Sequence, residues 1–289
     1  AMATSSTRYQ HLVSAQEWHP FSVLGPQPAA STGSSSECVR AFLPEATEAI
    51  LLPGQTGSSP IPMKLVHPEG VFEASWEGHD LGIHYQFRII DRQGKSIQRH
   101  DPYAFPPFIS DFDLHLFGEG KLYKAYEQLG AQVCTHQGIR GVNFAVWAPN
   151  AKRVSVVGDF NEWDGRRHPM RSRGGAGIWE LFIPDMNEGM VYKFEILPQN
   201  GDAPFLKADP YASSGELRPK TASIVRDLSG YEWQDGEWMK ARQSGDPLTQ
   251  PWSIYEVHMG SWRRVPEEGS RWLPYSALAE TLIPYVREM

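Results

Sequence analysis

Three acidic residues lie close together in the stretch GDFNEWDG, residues 158–165: Asp159, Glu162 and Asp164. Paired carboxyl groups can cleave a glycosidic bond when they are held rigidly across it and one of them protonates the leaving oxygen. Such an acid needs an apolar pocket that raises its pKa. A turn of this polar composition leaves its carboxyl groups in water instead. We therefore interpret the stretch as a solvated turn and expect no catalytic residue in it.

Trp163, in the same stretch, is a candidate for binding a sugar. It comes shortly after RVSVVG (residues 153–158), a run typical of a strand, so its indole ring could stack on the apolar face of a glucose ring. Lys193, in the predicted strand VYKFEI, could donate hydrogen bonds to the sugar hydroxyls. The alternative is that Trp163 packs against a neighbouring domain. Spacing alone leaves both interpretations open.

Glu256 and His258 are the other candidates for chemistry. They alternate in SIYEVH (residues 253–258), which is typical of a strand, so they would share one face of it. One interpretation is a buried, hydrogen-bonded polar pair, and the other is a role near a substrate once a barrel closes around them. No Ser-His-Asp or HExxH signature occurs, and no GxGxxG follows a predicted strand. Cys38 and Cys134 lack metal-ligand spacing, so we expect neither a metal nor a cofactor.

The elements that must position these residues belong to an internal repeat. The tetrapeptide DPYA occurs twice, with its tyrosine at Tyr103 and at Tyr211. The match extends upstream, where GIHYQFRIIDRQG resembles GMVYKFEILPQNG, so Tyr85 corresponds to Tyr192. In both copies, short runs of β-branched and aromatic residues alternate with Gly, Pro, Asn and Asp, a pattern typical of an all-β sandwich. We expect the two DPYA tyrosines to occupy equivalent corners.

The same patterns divide the chain into five parts. A first β-sandwich is followed by a connector helix, in which Leu122, Tyr123, Tyr126 and Leu129 have helical spacing. A second sandwich then leads through a linker with a short helix to a strand and an amphipathic helix, the opening of a βα unit. The predicted boundaries are 1–118, 119–135, 136–230, 231–250 and 251–289. The expected fold class is all-β: two tandem β-sandwiches, followed by a strand and a helix.

Charge and composition restrict the possible partners. The net charge is −7, and Lys and Arg cluster only at Arg166-Arg167 and Arg263-Arg264, which argues against nucleic acid as a partner. No apolar run approaches the roughly 18 residues that span a bilayer, so we expect no membrane partner. Two isolated cysteines and the lack of a secretory core segment favour a cytoplasmic location.

Several stretches carry a resemblance that covers nearly the whole chain. They are HPFSVLGP, LYKAYEQLGA, GVNFAVWAPNAKRVSVVGDFNEWDGRRHPM, GIWELFIP and SIYEVHMGSWRR. Together they resemble the amino-terminal part of bacterial 1,4-α-glucan branching enzymes, the glycogen-synthesising members of the α-amylase superfamily. The resemblance implies an immunoglobulin-like glucan-binding module at residues 142–228, within the sandwich predicted at 136–230, preceded by a second sandwich of the same lineage. The fold class that it implies is all-β: two tandem immunoglobulin-like β-sandwiches, followed by the first strand and helix of a truncated (β/α)8 barrel.

The resemblance also implies the residues that bind glucan. Trp163 and Lys193 match the positions at which related modules contact α-glucan such as glycogen or amylose. The match is partial. Where some relatives place a second Trp before the DP turn, this chain has APFLKADP, and where they place an Asn near the last strand it has TASIV.

Enzymes of this family cleave an α-1,4 linkage with an Asp nucleophile and a Glu acid and base, and a 6-hydroxyl replaces water as the acceptor. The resemblance places those carboxylates in later barrel strands. We therefore expect no catalytic residue within residues 1–289 and no branching activity without the missing catalytic barrel, which is the implied protein partner. The amino-terminal part of a debranching or trehalose-releasing glucan hydrolase and a stand-alone glycogen-targeting module are the alternatives.

Overall fold

The computed structural model describes residues 5–28, 37–54, 58–76 and 81–289. The chain divides into two compact units, residues 1–230 and 231–289, which are described separately. Antiparallel β-sheet dominates the first unit, and helices are few. The expected all-β class is confirmed at this coarse level.

The first sheet pair is formed by the strands that precede residue 101. Its elements are α1 (Ser5–Val13), β1 (Gly25–Pro28), β2 (Glu37–Phe42), β3 (Ala46–Leu52), β4 (Ile61–Pro62), β5 (Lys64–His67), β6 (Val71–Trp76), β7 (Gln86–Asp91) and β8 (Ser96–His100). They form two four-stranded antiparallel sheets, ordered β1-β2-β6-β5 and β4-β3-β7-β8. In β7, Phe87 and Ile89 are buried while Arg88 between them is exposed, the alternation of a one-sided sheet. Phe72 of one sheet shares a buried core with Leu51 and Phe87 of the other, so the sheets face each other.

The second sheet pair follows helix α2. Its elements are α2 (Asp111–Gly118), β9 (Gly130–His136), β10 (Ile139–Trp147), β11 (Ala151–Gly158), β12 (Arg171–Ser172), β13 (Ile178–Pro184), β14 (Val191–Pro198), β15 (Phe205–Lys207), β16 (Ser214–Gly215) and β17 (Ser223–Ile224). The sheets are ordered β12-β13-β10-β9 and β11-β14-β17-β16, and β15 also pairs with β14. Phe144 of β10, Val156 of β11 and Phe194 of β14 belong to one buried cluster. These two sheets therefore also enclose a shared core.

The repeat detected in the sequence recurs as one hydrogen-bonded arrangement. The hydroxyl of Tyr85 donates to Asp101 Oδ2 at 2.6 Å, and the hydroxyl of Tyr192 donates to Asp209 Oδ2 at 2.6 Å. Both tyrosines are fully buried. The predicted correspondence of Tyr85 and Tyr192 is confirmed, because each anchors the DPYA corner of its own sheet pair.

The two DPYA tyrosines have the same local geometry but different surroundings. The backbone amides of Tyr103 and Tyr211 donate to the Oδ1 atoms of Asp101 and Asp209 at 2.9 and 2.8 Å. Tyr103 is 8% exposed and its hydroxyl donates to the carbonyl of Pro169 at 3.1 Å, whereas Tyr211 is 40% exposed. The corners are equivalent, but only the first is buried against the other sheet pair.

The two sheet pairs share a continuous apolar boundary. Leu12 of α1, Leu24 and Tyr103 lie in the same buried cluster as Phe144 and Trp179 of the second pair. Because residues that precede the second pair are part of the buried cluster that forms its core, we expect the two pairs to unfold together.

Residues 119–135 do not form the expected connector helix. Helix α2 precedes this segment, and a 3₁₀ turn (Ala125–Glu127) and β9 occupy it. Of the four residues with helical spacing only Leu129 is buried, while Tyr123 and Tyr126 are 87% and 59% exposed. The apolar residues with helical spacing do not pack together against the core, so a helix here would lack the burial that stabilises an amphipathic helix.

The second unit contains short elements. They are α3 (Gly236–Ser244), α4 (Met259–Trp262), β18 (Arg264–Val265), β19 (Arg271–Trp272) and α5 (Tyr275–Glu288). The predicted short helix of the linker forms as α3, and the predicted terminal helix forms as α5. The strand prediction for residues 253–258 is wrong, since they form no strand and Ile254 is 87% exposed. A barrel strand needs paired neighbours and covered faces, which the described part of this unit does not supply. Across the described ranges, no helix combines the length and apolar character needed to cross a membrane.

Candidate functional site

Strands β11 and β14 bring Trp163 and Lys193 to the same end of one sheet. In the antiparallel register, Lys193 lies opposite Val157, one residue before β11 ends at Gly158. The chain then turns, and the backbone amide of Trp163 donates to the carbonyl of Gly158 at 3.0 Å. The sheet register, and not their separation in sequence, places these two side chains at a common edge. We call this surface the Trp163 site.

The buried side chain of Asn161 anchors the turn that carries Trp163. Its Oδ1 accepts from the amide of Gly158 at 2.9 Å, and its Nδ2 donates to the carbonyl of Val156 and to His168 Nδ1, each at 2.9 Å. Burial, together with the nearby positive guanidinium groups, lowers the pKa of His168 well below its usual value, which leaves Nδ1 free to accept. Because Asn161 is fully buried, the turn is fixed to the sheet and does not move independently of it.

The backbone at the tip of the turn is left-handed. Glu162 and Trp163 have φ angles of 57° and 60°, a conformation that non-glycine residues adopt at a cost of about 1 kcal/mol or more each. The indole Nε1 of Trp163 donates to Asp159 Oδ1 at 2.8 Å, and the residue is half-buried. The ring is therefore held in one orientation, as stacking on a ligand requires.

A buried ion pair closes the turn at its other end. Arg153 is 2% exposed, although it lies in β11, and its guanidinium donates to Glu195 Oε1 at 2.6 Å and to the carbonyl of Gly165 at 2.9 Å. Gly165 lies directly on this carboxylate, because a Cβ there would be 2.0 Å from Glu195 Oε1. Sequence reasoning missed this pair, and the only available signal was a charged residue within an otherwise apolar strand.

Lys193 is also held in place. Its Nζ donates to Thr221 Oγ1 at 2.8 Å, and the residue is half-buried. On the neighbouring strand β15, Leu206 lies opposite Glu195 and is 46% exposed. The site thus combines an aromatic ring, an ammonium group and an exposed aliphatic side chain.

The three carboxylates of the turn do not form an acid–base pair. Asp159 accepts from the Trp163 indole, and Glu162 is exposed. Asp164 is not free in water as expected: Arg166 binds both of its carboxylate oxygens at 2.8 to 3.1 Å. Although burial opposes the charge, these bonds lower the pKa of Asp164. A general acid needs the opposite shift of its pKa.

Glu256 and His258 are both exposed, so the interpretation of a buried polar pair is wrong. His258 Nδ1 lies 2.8 Å from Ser261 Oγ at the start of α4, a local contact within the turn. A role near a substrate stays a prediction. In the part of the chain that the structure describes, no group of three or more His, Cys, Asp or Glu residues could hold a metal ion.

Two family descriptions match the larger unit. Residues 5–103 match the alpha-1,4-glucan branching enzyme GlgB, N-terminal domain, and residues 128–212 match carbohydrate-binding module 48, the isoamylase N-terminal domain. The second match includes both Trp163 and Lys193.

Relatives extend the likeness to the whole chain. The 1,4-alpha-glucan branching enzyme GlgB of Methylococcus capsulatus is 44% identical over 286 residues, covering 99% of this chain and 37% of its own length. That of Rubrobacter xylanophilus is 49% identical over 267 residues, covering 92% of this chain and 35% of its own length. The chain thus spans somewhat more than a third of these relatives. The resemblance to branching enzymes is confirmed, and the chain corresponds to their amino-terminal region.

Among solved structures, the pullulanase from Anoxybacillus sp. LM18-11 matches 68% of this chain and 27% of its own, at 16% identity and a TM-score of 0.31. This superposition is too partial to support a structural argument.

Proposed function

We propose that this chain, as the amino-terminal region of a GlgB-type branching enzyme, binds α-glucan and holds it near the catalytic part of that enzyme. The whole protein would cleave α-1,4-glucan chains and transfer them to 6-hydroxyls, which creates the α-1,6 branches of glycogen. The family matches over both halves of the larger unit support this activity. A polymer is weakly held at any one glucose, so a tethered binding surface raises the local concentration of chains near the catalytic residues.

The observation that carries the proposal is the fixed orientation of Trp163 beside Lys193. The indole is held through Asp159 and by the turn that Asn161 anchors, so stacking a glucose ring on it costs little conformational entropy. The Lys193 ammonium would donate to a sugar hydroxyl in place of Thr221. Stacking on one indole contributes only about 1 kcal/mol beyond area burial, which predicts a Kd in the high micromolar to millimolar range.

We further propose that the two sheet pairs are tandem immunoglobulin-like sandwiches of common origin. The repeated Tyr-Asp arrangement and the two cores enclosed by facing sheets support this. Residues 251–289 would form the first βα unit of a (β/α)8 barrel only when the rest of the barrel supplies neighbours. The remainder of that barrel would be the protein partner of this region.

The alternatives have less support. One alternative is that the chain belongs to a debranching or trehalose-releasing hydrolase, and another is that it is a stand-alone glycogen-targeting module. Neither explains why the chain is 44% and 49% identical to branching enzymes over more than 90% of its length. A cytoplasmic location stays a prediction.

Substitution of Trp163 and Lys193 tests the proposal. Trp163→Ala should weaken glycogen binding about three- to tenfold, because the stacking contact is lost, and Lys193→Ala should weaken it less. Affinity electrophoresis through glycogen gels measures the change, and thermal unfolding shows whether the fold is intact. Trp233→Ala is the matched control, since Trp233 is 74% exposed and lies in the other unit. Unaltered migration of Trp163→Ala, with or without a change in melting temperature, would refute the stacking role.

A further inference from the structure

A second aromatic depression lies on the surface of the larger unit, away from the Trp163 turn. Its volume is about 330 Å³. One wall is the segment from Trp18 to the 3₁₀ turn Pro20–Ser22, and the other is β12, with Arg171 and Ser172. We call this depression the Trp18 site.

Aromatic side chains line the Trp18 site, and residues of the buried boundary between the sheet pairs pack against them. Trp18 is 37% exposed, which is high for the largest apolar side chain. Phe21 is half-buried and its ring edge packs on Tyr103 at 5.1 Å between ring centroids, while the Arg171 guanidinium lies 3.6 Å above its ring centroid. Arg171 also donates to the carbonyl of Phe105 at 3.0 Å. The wall is therefore tied into the buried boundary between the sheet pairs.

Polar groups surround the exposed indole. The Lys152 ammonium lies 4.7 Å from the Trp18 ring centroid, and Lys152 is itself exposed, so a ligand can displace it from the ring. His19 and Ser22 are exposed on the same wall, and Ser22 Oγ donates to the carbonyl of His19 at 2.8 Å. An exposed ring bordered by hydroxyl, imidazole and ammonium groups presents both the stacking face and the hydrogen-bond partners that a pyranose requires.

We propose that the Trp18 site is a second α-glucan site, in which Trp18 stacks on a glucose ring while Lys152 and His19 bond its hydroxyls. The ligand class rests on the proposed glucan-binding function, but the site itself does not depend on Trp163.

Burial lowers the pKa of Arg171 to about 10, with a further decrease from Arg173, so the guanidinium still carries its charge at neutral pH. It acts as a fixed wall because Phe21 and the Phe105 carbonyl already hold it.

The two sites occupy opposite ends of one strand. Lys152, beside Trp18, is near the start of β11, and Trp163 follows its end at Gly158. Six residues of strand separate Lys152 from Gly158, which corresponds to about 20 Å. A single long chain can contact both ends, and its retention then depends on both sites together.

The test uses the whole 289-residue chain. Trp18→Ala, Trp163→Ala and the double variant are run on glycogen gels beside Trp233→Ala as control, and maltoheptaose titration follows the indole fluorescence. We expect Trp18→Ala to reduce retention about three- to tenfold, Trp18→Phe to restore part of it, and the double variant to migrate as in a gel without glycogen.

Trp18 lies outside the buried clusters, so the melting temperature should not change. If it does change, His19→Ala, at an exposed position, carries the test and should weaken retention about twofold.

Each outcome separates the two sites. If Trp18→Ala and His19→Ala both migrate like the wild type while Trp163→Ala loses retention, the Trp18 site is refuted and the proposed function stands. If Trp163→Ala is unaltered while Trp18→Ala loses retention, the Trp18 site stands and the stacking role of Trp163 falls. Absence of retention for the wild-type chain would overturn both. Inorganic phosphate is the remaining probe: competition by phosphate against maltoheptaose at Trp18 would make this an anion site and refute a glucan site.

Discussion

Asp101 and Asp209 place buried carboxyl groups at the two DPYA corners, and ionisation of these groups opposes folding. Asp101 is 2% exposed, and burial raises its pKa to about 6, although hydrogen bonds from the Tyr85 hydroxyl and the Tyr103 amide favour the charged form. The pKa of Asp209 shifts in the same direction for the same reason. Each corner therefore combines a strong local anchor with a charge that the folded state accommodates poorly.

Asp101→Asn should change how stability depends on pH. The Asp101 pKa is 3.8 in the reference state and about 6 in the fold, so the folded protein holds more protons between these values. The cost of the buried charge is absent below about pH 4 and develops as the pH rises to 6. Over this window we expect the wild type to lose about 2–3 kcal/mol relative to Asp101→Asn, which cannot ionise. Urea unfolding at pH 4, 5, 6 and 7 measures the difference.

Two comparisons make this result specific. The lowered pKa of His168 makes the free energy of unfolding rise with pH, which is the opposite trend. This effect is the same in the wild type and in Asp101→Asn, so it cancels when their stabilities are subtracted. Asp209→Asn should change the profile in the same direction. A difference between the wild type and Asp101→Asn that stays constant from pH 4 to 7 would contradict the assignment.

Whole elements were predictable where their signal is local. RVSVVG forms β11 and VYKFEIL lies within β14, because alternating apolar residues specify a one-sided strand before its partner is known. The helix expected at 119–135 and the strand expected at 253–258 failed because each needed a surface to pack against. Trp163 and Lys193 were found by residue type, but their common edge depends on a strand register that the sequence does not show. The burial of Arg153 likewise depends on Glu195, 42 residues away.

Gly165→Ala tests how the β11–β14 pair supports the Trp163 turn. A Cβ at Gly165 would meet Glu195 Oε1 at 2.0 Å, so the carboxylate must move and its ion pair with Arg153 is disturbed. We expect a loss of about 1–3 kcal/mol in the free energy of unfolding and weaker glycogen retention, although Trp163 is unchanged. Gly175→Ala is the control, because a Cβ there meets nothing within 4 Å. Equal melting temperatures for the two variants would show that Gly165 does not hold the turn.

At the scale of the whole molecule, the sequence repeat predicted two related sheet pairs, but it did not predict which of their residues contact each other. Duplication alone would give Tyr103 and Tyr211 the same surroundings. Instead Tyr103 is buried against the second sheet pair and Tyr211 is half-exposed. Tyr103 and Tyr211 are identical in the two copies, so a comparison of the copies within one sequence does not reveal which residues lie between the sheet pairs.

The Glu45 carboxylate is a charged link between the two sheet pairs. Its Oε1 lies 2.9 Å from guanidinium nitrogens of both Arg99, in the first pair, and Arg167, in the second. Burial lowers the pKa of Arg99, and the charge of Arg167 lowers it further, so the two guanidinium groups repel each other and need this carboxylate between them. Glu45→Gln keeps the shape but removes the carboxylate that the two guanidinium groups share, and Arg167 keeps only the longer contact of 3.5 Å to the exposed Glu162 carboxylate.

We expect Glu45→Gln to cost about 2–3 kcal/mol, which is below the usual 3–5 for a broken buried pair because Arg99 keeps contact with water. The Arg99 side chain is 29% exposed, against 7% for Arg167. For a unit of this size the melting temperature should fall by about 5–10 °C. Glu48→Gln, at an exposed position in β3 three residues after Glu45, should leave it within about 1–2 °C of the wild type. Because residues of both sheet pairs share one buried apolar cluster, calorimetry of Glu45→Gln should show the larger unit still melting in a single transition. Two separated transitions for that unit would mean that the sheet pairs are stable independently and that Glu45 only ties them together.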